Sequence, residues 1–249
     1  MPHAHCEVLA RCPICHDTRQ IPWRQKDGYD LVRCGGCNFI YVRDRPRLDY
    51  LKNYYQPVYK EPLKKSGGVL RRLKYWLFVQ WVKWHLPDRK KIRVLEFGCG
   101  QGDLLMAVQH HPRFEARGID YTPEPLELAR SLGLRVDLGD MESLNFPDAS
   151  FDLVAGIHVM EHVHDLESTM TQAHRILDKG GLFFAVCPCV THIKARLAGD
   201  KWKYLGPPAH LWYFSPATFT KLLERFGFTV LHASCFHNRA HVRILARKN

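Results

Sequence analysis

Hydrophobic positions alternate between strand-like and helix-like spacing over the carboxyl-terminal two thirds of the chain. Apolar runs bounded by turn residues predict strands at 93–97, 115–120, 151–157 and 181–187. Apolar residues at helical spacing predict helices between them, at 123–132 after Thr122 and at 165–177. The run at 151–157 is apolar at nearly every position, as in a strand covered on both faces. This alternation predicts an α/β domain with a mainly parallel sheet.

A glycine-rich turn, Gly98-Cys99-Gly100-Gln101-Gly102, follows the first of these strands, and Glu96 precedes it. Glycine permits a tight turn and lets a ligand lie against bare backbone. The dinucleotide fingerprint requires glycine where Asp103 stands, and the Gly-Lys-Ser/Thr step of a phosphate-binding loop is absent. The turn therefore favours S-adenosylmethionine, a cofactor that has no pyrophosphate and carries a cationic amino-acid end.

Two later segments fit the same cofactor. Asp120 ends the second strand, 24 residues after Glu96 (120 − 96), where a carboxylate can accept both ribose hydroxyls. Asp140 could accept the adenine amino group, and Met141 could pack on the adenine ring. The predicted site thus draws on the ends of several strands.

Over roughly residues 92–235 the chain resembles the class I S-adenosylmethionine-dependent methyltransferases, in the broad group that includes the ubiquinone-pathway O-methyltransferases. The motifs that carry the resemblance are Val94-Leu95-Glu96-Phe97-Gly98-Cys99-Gly100-Gln101-Gly102, Gly118-Ile119-Asp120, Gly139-Asp140-Met141, Phe151-Asp152-Leu153-Val154 and Arg175-Ile176-Leu177-Asp178-Lys179-Gly180-Gly181. The resemblance implies a Rossmann-like seven-stranded sheet, whose last strands, 230–236 and 242–246, form an antiparallel hairpin.

The resemblance also implies roles for individual residues. Gly98 and Gly100 would touch the methionine portion of the cofactor, Asp120 would hold the ribose, and His158 would border the transferring methyl. The predicted cofactor-binding residues are Glu96, Gly98, Cys99, Gly100, Asp120, Tyr121, Asp140, Met141 and His158.

Histidines near the end of the fourth strand are candidate catalytic bases. Transfer to a hydroxyl or a protonated amine requires removal of a proton, and histidine suits that task near neutral pH. His162 is the first choice, followed by His158 and by His210 in the loop at 207–214. Each histidine could instead have a packing or capping role. In the same loop, Trp212 and Tyr213 could stack on a planar acceptor or simply pack.

The segment from His158 to His162 also matches the H-x-x-E-H pattern of some zinc peptidases. That motif requires a continuous helix, whereas residues 153–157 predict a strand, which argues against a peptidase. The ubiquinone-pathway relatives have a Glu-His step associated with a divalent ion, and Glu161-His162 matches it. His158 stands where those relatives carry an acid, so a metal site here is left open.

Two C-x-x-C pairs, Cys12/Cys15 and Cys34/Cys37, are separated by 18 residues and fit a four-cysteine zinc site. Each pair forms a knuckle, and two knuckles supply a tetrahedron of thiolates. Flanking residues alternate as strands, so a zinc ribbon is predicted over 1–48. Such a closed site leaves no open position for chemistry, and so small a unit buries little core, which indicates a structural zinc.

The formal net charge of +11 lies entirely in residues 1–91, which hold 19 Lys+Arg against 8 Asp+Glu, whereas 92–249 hold 17 of each. Nucleic acid, an anionic membrane surface, an acidic substrate and simple solvation are the candidate explanations. Residues 56–68 are predicted as a linker. Residues 69–85 are predicted as an aromatic helix, which could be a lid over the cofactor, lie on a membrane or stack on bases.

The sequence therefore predicts a zinc ribbon (1–48), a basic aromatic linker with a lid helix (49–91) and a methyltransferase domain (92–249). The predicted function is methyl transfer from S-adenosylmethionine to oxygen, nitrogen or carbon of a small molecule. No apolar run approaches the roughly 18 residues of a membrane span, and cysteine usage favours the cytoplasm. Two alternatives stay open: an RNA methyltransferase that docks through the basic ribbon, and a non-catalytic cofactor-binding module.

Overall fold

The computed structural model describes residues 5–51, 54, 69–109, 111–235 and 240–249. Its strands are β1 (Cys6–Val8), β2 (Gln20–Lys26), β3 (Tyr29–Cys34), β4 (Ile40–Val42), β5 (Asp44–Pro46), β6 (Ile92–Phe97), β7 (Phe114–Asp120), β8 (Val136–Leu138), β9 (Phe151–Ile157), β10 (Leu177–Pro188), β11 (Trp212–Tyr213), β12 (Phe228–Cys235) and β13 (His241–Lys248). Its helices are α1 (Val69–Lys83), α2 (Asp103–Val108), α3 (Pro123–Ser131), α4 (Leu166–Ile176), α5 (Ile193–Ala198) and α6 (Pro216–Arg225), with a 3-10 turn at Gly199–Lys201. The predicted linker at 56–68 lies outside the described residues.

Seven strands form the central sheet, in the order β12-β13-β10-β9-β6-β7-β8. Strands β6 to β10 run parallel, whereas β13 is antiparallel to both β10 and β12. This confirms the predicted Rossmann-like sheet with an antiparallel carboxyl-terminal hairpin. The strand order reverses between β6 and β9, and in open α/β sheets a ligand binds beyond the carboxyl ends of the strands at such a point.

Side-chain caps begin α4 and α6, whereas Thr122 before α3 makes no side-chain cap hydrogen bond. The carboxylate of Asp165 accepts hydrogen bonds from the amides of Glu167 (2.9 Å) and Ser168 (3.1 Å), which starts α4 directly after the turn that follows β9. Ser215 and Thr218 form a reciprocal capping box at the start of α6. Each such cap is worth about 1 kcal/mol, so these ends are locally encoded.

The amino-terminal ribbon shares a sheet with the rest of the protein. Strands β2, β3 and β4 are antiparallel, and β11, from the segment between β10 and α6, pairs with β4 so that Trp212 lies opposite Tyr41. Phe39 stacks on Trp212 with ring centroids 6.2 Å apart, and the Arg225 guanidinium donates to the carbonyl of Pro13 at 2.8 Å. The ribbon is therefore built into the core, and β11, which the sequence placed in a loop, completes its sheet.

Helix α1 packs on one face of the central sheet. Tyr75, Val79 and Val82 are buried there, and Phe78 contacts Phe184 of β10 with ring centroids 4.2 Å apart. The described residues of α1 do not line the cofactor cavity presented below, so the lid expected from the sequence is not formed by them. Within the described residues, no helix is both long and apolar enough to span a membrane.

Candidate functional site

The glycine turn after β6 is fixed by a close approach to the turn after β9. Gly98 has φ = 63°, and a Cβ atom there would lie 2.6 Å from Cγ2 of Val159. Gly100 has φ = 51°, and no described atom would lie within 4 Å of a Cβ atom there. The first glycine is needed for packing, and the second leaves bare backbone beside open space, which suits a bound cofactor.

Asp120 joins this turn to the end of β7. Its Oδ2 accepts a hydrogen bond from the amide of Gly100 at 2.9 Å, and its Oδ1 accepts from the amide of Thr122 at 2.9 Å and from the Thr122 hydroxyl. The carboxylate is only 8% exposed but still borders the cavity in front of the turn. A buried carboxylate held by two amides is a rigid acceptor for hydroxyl groups.

A cavity of about 310 Å³, the cofactor cavity, opens at this edge of the sheet. It is lined by five of the predicted cofactor-binding residues, namely Gly98, Asp120, Tyr121, Asp140 and Met141. The turn from β9 to α4 adds His162 and Asp165, and the segment after the ribbon adds Leu48 and Leu51. The two leucines were not predicted, because no local pattern marks a residue that reaches the cavity only through the docking of the ribbon.

The other four predicted cofactor residues, Glu96, Cys99, Gly100 and His158, do not line this cavity. Glu96 is buried, and its Oε2 has no hydrogen-bond partner among the described residues. Burial, followed by the charges of Asp103 and Asp120, raises the pKa of Glu96 well above 4.5 and favours its neutral form.

Cys99 faces the interior of the protein. Its side chain packs in an apolar cluster with Leu105, Leu126 and Leu134, and burial raises the pKa of its thiol. Its amide donates to the carbonyl of Ile119 at 3.0 Å. Both groups of Cys99 therefore shape the turn, and Cys99 does not line the cofactor cavity, so its contact with a cofactor stays a prediction.

A group of three histidines surrounds the buried carboxylate of Glu161 where β9 ends. We call His158, His162, His210 and Glu161 the histidine cluster. His158 Nδ1 lies 3.6 Å from Glu161 Oε1, and the rings of His162 and His210 are 4.6 Å apart. The structure therefore brings together all three predicted catalytic histidines, although His210 lies far along the chain from the other two.

The electrostatics of the cluster favour the ionised form of Glu161 and the neutral form of His210. Burial alone would raise the pKa of Glu161, but the hydrogen bond from His158 and the charges of His162 and His210 bring it below its usual value. Burial, then the charge of His162, lowers the pKa of His210 to about 4. A proton taken up by this cluster is thus stabilised by a carboxylate that no water surrounds.

The cluster also has the donor set of a divalent metal site. Ligand atoms of Glu161, His162 and His210 all lie within 4.8 Å of one another. Nδ1 of His162 lies 2.9 Å from the carbonyl of Ala209 and Nδ1 of His210 lies 2.8 Å from that of Tyr204, which orients both imidazole rings. Oε2 of Glu161 has no partner among the described residues, which also fits an ion.

The peptidase interpretation fails on geometry. Residues 158–163 form a turn between β9 and α4, and His158 has φ = 57°. A continuous helix, which the H-x-x-E-H motif requires, is therefore not present there.

Trp212 and Tyr213 are unavailable to an acceptor. Both lie in β11 and are 1% and 2% exposed, respectively, between the ribbon and α6. The Trp212 indole donates to the carbonyl of Val163 at 2.5 Å, so this aromatic pair anchors the turn that carries the histidine cluster. The stacking role considered from the sequence is thus wrong, and packing explains both residues.

The four predicted zinc ligands converge. The Sγ atoms of Cys12, Cys15, Cys34 and Cys37 all lie within 4.8 Å of one another. The amide of Ile14 points at Cys12 Sγ (3.4 Å) and that of Gly36 at Cys34 Sγ (3.3 Å), as in metal-binding knuckles. The contact between Cys12 and Cys37 lowers the pKa of the Cys37 thiol to about 5 and raises that of the Cys12 thiol, so Cys37 is the more readily ionised of the two.

Comparisons with known proteins agree with this geometry. Ajmaline N-methyltransferase of Rauvolfia serpentina is 30% identical over 102 residues, 38% of this chain and 35% of that protein. Demethylmenaquinone methyltransferase of Chlorobaculum tepidum is 28% identical over 62% of this chain and 73% of that protein. The structure of an S-adenosylmethionine-dependent methyltransferase from Archaeoglobus fulgidus has the same fold, with a TM-score of 0.59 and 18% identity over 80% of this chain and 100% of that one.

The alignments cover only part of the length of each of the curated relatives. Across four curated relatives, the chain spans between 35% and 52% of their lengths. The family described as "Methyltransferase domain" matches residues 71–233, which is more than half of the 249 residues. The chain therefore belongs to this methyltransferase domain family.

Proposed function

We propose that the protein transfers a methyl group from S-adenosylmethionine to a small-molecule acceptor. The observation that carries the proposal is the cavity in which Asp120 faces the open backbone of the glycine turn. In this proposal Asp120 accepts the ribose hydroxyls, Asp140 accepts the adenine amino group and Met141 packs on the adenine ring. The bare backbone of Gly100 leaves room for the methionine portion, and Gly98 lines the cavity beside it.

The transfer itself requires positioning and, for a protic acceptor, a base. The bond between sulfur and methyl breaks as the acceptor forms its bond to that carbon, and S-adenosylhomocysteine leaves. We assign the acceptor's proton to Nε2 of His162, because His162 lines the cofactor cavity and its Nδ1 is held by a carbonyl. The charge that forms on the imidazole faces the buried carboxylate of Glu161.

Replacing His162 with Gln should lower kcat by about 100-fold to 10,000-fold, the usual contribution of a general base. Binding of S-adenosylmethionine should change little, because a glutamine fills a similar volume beside the cavity. Rates with radiolabelled cofactor and a calorimetric titration measure the two effects. A wild-type kcat in this variant would show that His162 is not the general base.

A divalent ion at Glu161, His162 and His210 is an alternative use of the same atoms. Such an ion would supply a Lewis acid for an acceptor oxygen. Activity that disappears in a chelator and returns with added divalent ion, while the zinc ribbon stays loaded, would favour the ion. Unchanged activity under those conditions would leave His162 as the base.

Glu96 should couple cofactor binding to proton release. The arriving sulfonium and amino group favour the carboxylate over the acid, so the raised pKa of Glu96 should fall on binding. Calorimetry of the wild type in buffers of different ionisation enthalpy should therefore show a released proton. Glu96→Gln should abolish this release, because no ionisable group is left at that position.

The same variant should stabilise the protein without cofactor. A raised pKa means that the unfolded chain ionises near 4.5 while folded Glu96 still holds its proton, so the free energy of unfolding falls as pH rises above 4.5. Glu96→Gln removes this loss. A melting temperature that does not rise relative to the wild type at neutral pH would contradict the assignment.

Docking on RNA through the basic ribbon is the alternative to a small-molecule acceptor. Four arginines of the ribbon region form ion pairs, Arg19 with Asp17, Arg24 with Asp200, Arg43 with Asp30 and Asp44, and Arg45 with Glu7. Of these acids only Asp200 lies outside residues 1–91, so most of the net charge of +11 in that region remains. We also propose that the four cysteines hold a structural zinc and that the protein works in the cytoplasm.

A further inference from the structure

A second cavity, the basic cavity, borders the histidine cluster. It has a volume of about 560 Å³ and lies between α5, the segment after the 3-10 turn and the start of β13. Its described lining includes Lys194, Lys201, Trp202, Lys203, Tyr204 and His241. This volume is within the range of small-molecule sites, roughly 300–1,000 Å³.

Short contacts connect the basic cavity to the predicted catalytic histidines. The ring of His241 lies 4.5 Å from the ring of His158, and its Nε2 is 2.8 Å from the hydroxyl of Tyr204. The backbone carbonyl of Tyr204 is the acceptor for Nδ1 of His210. His162, which contacts His210, lines the cofactor cavity. The histidine cluster thus touches residues of both cavities.

The charge of the basic cavity is unusual for this part of the protein. Residues 92–249 carry 17 basic and 17 acidic residues, and only six of the basic ones are lysines. Three of those six line this one cavity, and no Asp or Glu is among its described lining residues. Clustered charge of one sign within a cavity concentrates ligands of the opposite sign.

Aromatic side chains accompany the lysines. Trp202 and Tyr204 lie edge-to-face with ring centroids 5.7 Å apart, and Nζ of Lys203 sits 4.6 Å from the centroid of the Tyr204 ring. Trp202 is buried, so the partly exposed ring of Tyr204 is the flat surface that suits a planar ring. Lysine ammonium groups suit a carboxylate or a phosphate on that ring as point charges.

We propose that the basic cavity binds the methyl acceptor, and that the acceptor is a small anion with a planar ring that carries a carboxylate or a phosphate. The proposal rests on the methyl-transfer function proposed above. The lysines hold the anionic group, and the ring extends toward His241 and His158, where the histidine cluster receives the proton.

The test compares charged and neutral probes of the same shape. Ligand-observed NMR titrations with 4-hydroxybenzoate, phenyl phosphate and neutral 4-hydroxybenzamide are carried out on full-length, zinc-loaded protein saturated with S-adenosylhomocysteine. We expect at least one anion to bind about tenfold more tightly than the amide, and the stronger anion distinguishes carboxylate from phosphate. Equal affinities for all three probes would overturn the proposal.

Lysine variants test whether the anion binds in the basic cavity. Lys201→Gln combined with Lys203→Gln should weaken binding of the preferred anion by about tenfold or more and leave the amide unchanged, since about 1.4 kcal/mol corresponds to a factor of ten. Lys221 is an exposed lysine of α6 outside both cavities. Lys221→Gln is therefore the matched control, and it should change neither the affinity for the anion nor that for the amide. An anion affinity that the double variant leaves unchanged would overturn the proposal.

Cofactor binding is measured in the same preparations. The lysine variants should bind S-adenosylmethionine with wild-type affinity, because neither lysine lines the cofactor cavity. A wild-type protein that binds the anion but not S-adenosylmethionine would contradict the proposed function alone, since the basic cavity would still be an anion site. Failure of the proposed anion site can therefore be distinguished from failure of the proposed methyl transfer.

Discussion

Asp120→Ala should weaken binding of S-adenosylmethionine by about 100-fold. In the proposed site the carboxylate accepts two ribose hydroxyls, and each hydrogen bond to a charged group is worth about 1.5–3 kcal/mol. Two such bonds at the lower value give about 3 kcal/mol, or roughly two factors of ten. The variant also removes the acceptor of the Gly100 amide, so the glycine turn loses its link to β7.

The control for this experiment is Asp137→Ala. Asp137 lies on the neighbouring strand β8, forms a partly exposed ion pair with Arg117 at 2.5 Å and does not line the cofactor cavity. Its loss should leave the affinity within about twofold, since exposed pairs contribute little. Isothermal calorimetry gives both affinities, and melting curves confirm that each variant is folded. An Asp120→Ala protein with wild-type affinity would refute the proposed cofactor site.

The cofactor half of the site was predictable because its determinants are local. Gly98 and Gly100 need positive φ values, and Asp120 ends a strand, so sequence spacing places them at one edge of a parallel sheet. In the structure Gly98 and Asp120 line the cofactor cavity, and the amide of Gly100 donates to Asp120. The orientation of Cys99 could not be read from spacing, because its backbone forms the turn while its side chain packs toward the core.

The part of the site that would receive the methyl acceptor could not be predicted from the local sequence pattern. Its shape depends on β11, a two-residue strand that forms only because the ribbon offers β4 as a partner. That pairing buries Trp212, and the same loop carries His210 to the end of β9. Contacts of this kind join segments that are distant in sequence, and single-sequence periodicity contains no information about them. The three lysines of the basic cavity were likewise unremarkable in the sequence.

Cys12→Ser should remove zinc and unfold the ribbon. Metal binding supplies most of the folding free energy of so small a unit, and a zinc site with three thiolates and one hydroxyl binds zinc far more weakly. Because β4 pairs with β11, the disorder should spread to residues 209–214 and impair methyl transfer. Hydrogen exchange should show lost protection in β2 to β4 and in β11, while β6 and β9 stay protected.

Cys6→Ser is the matched control for this prediction, because Cys6 lies in the same region but outside the four-thiolate group. It should retain one zinc per chain and wild-type exchange at 209–214, as measured by metal analysis and mass spectrometry. A Cys12→Ser protein that keeps both its zinc and the protection of β11 would show that the four cysteines do not form the site. A protein that loses zinc yet keeps full activity would show that the ribbon does not support the acceptor side, since β11 and His210 would then hold their positions without it.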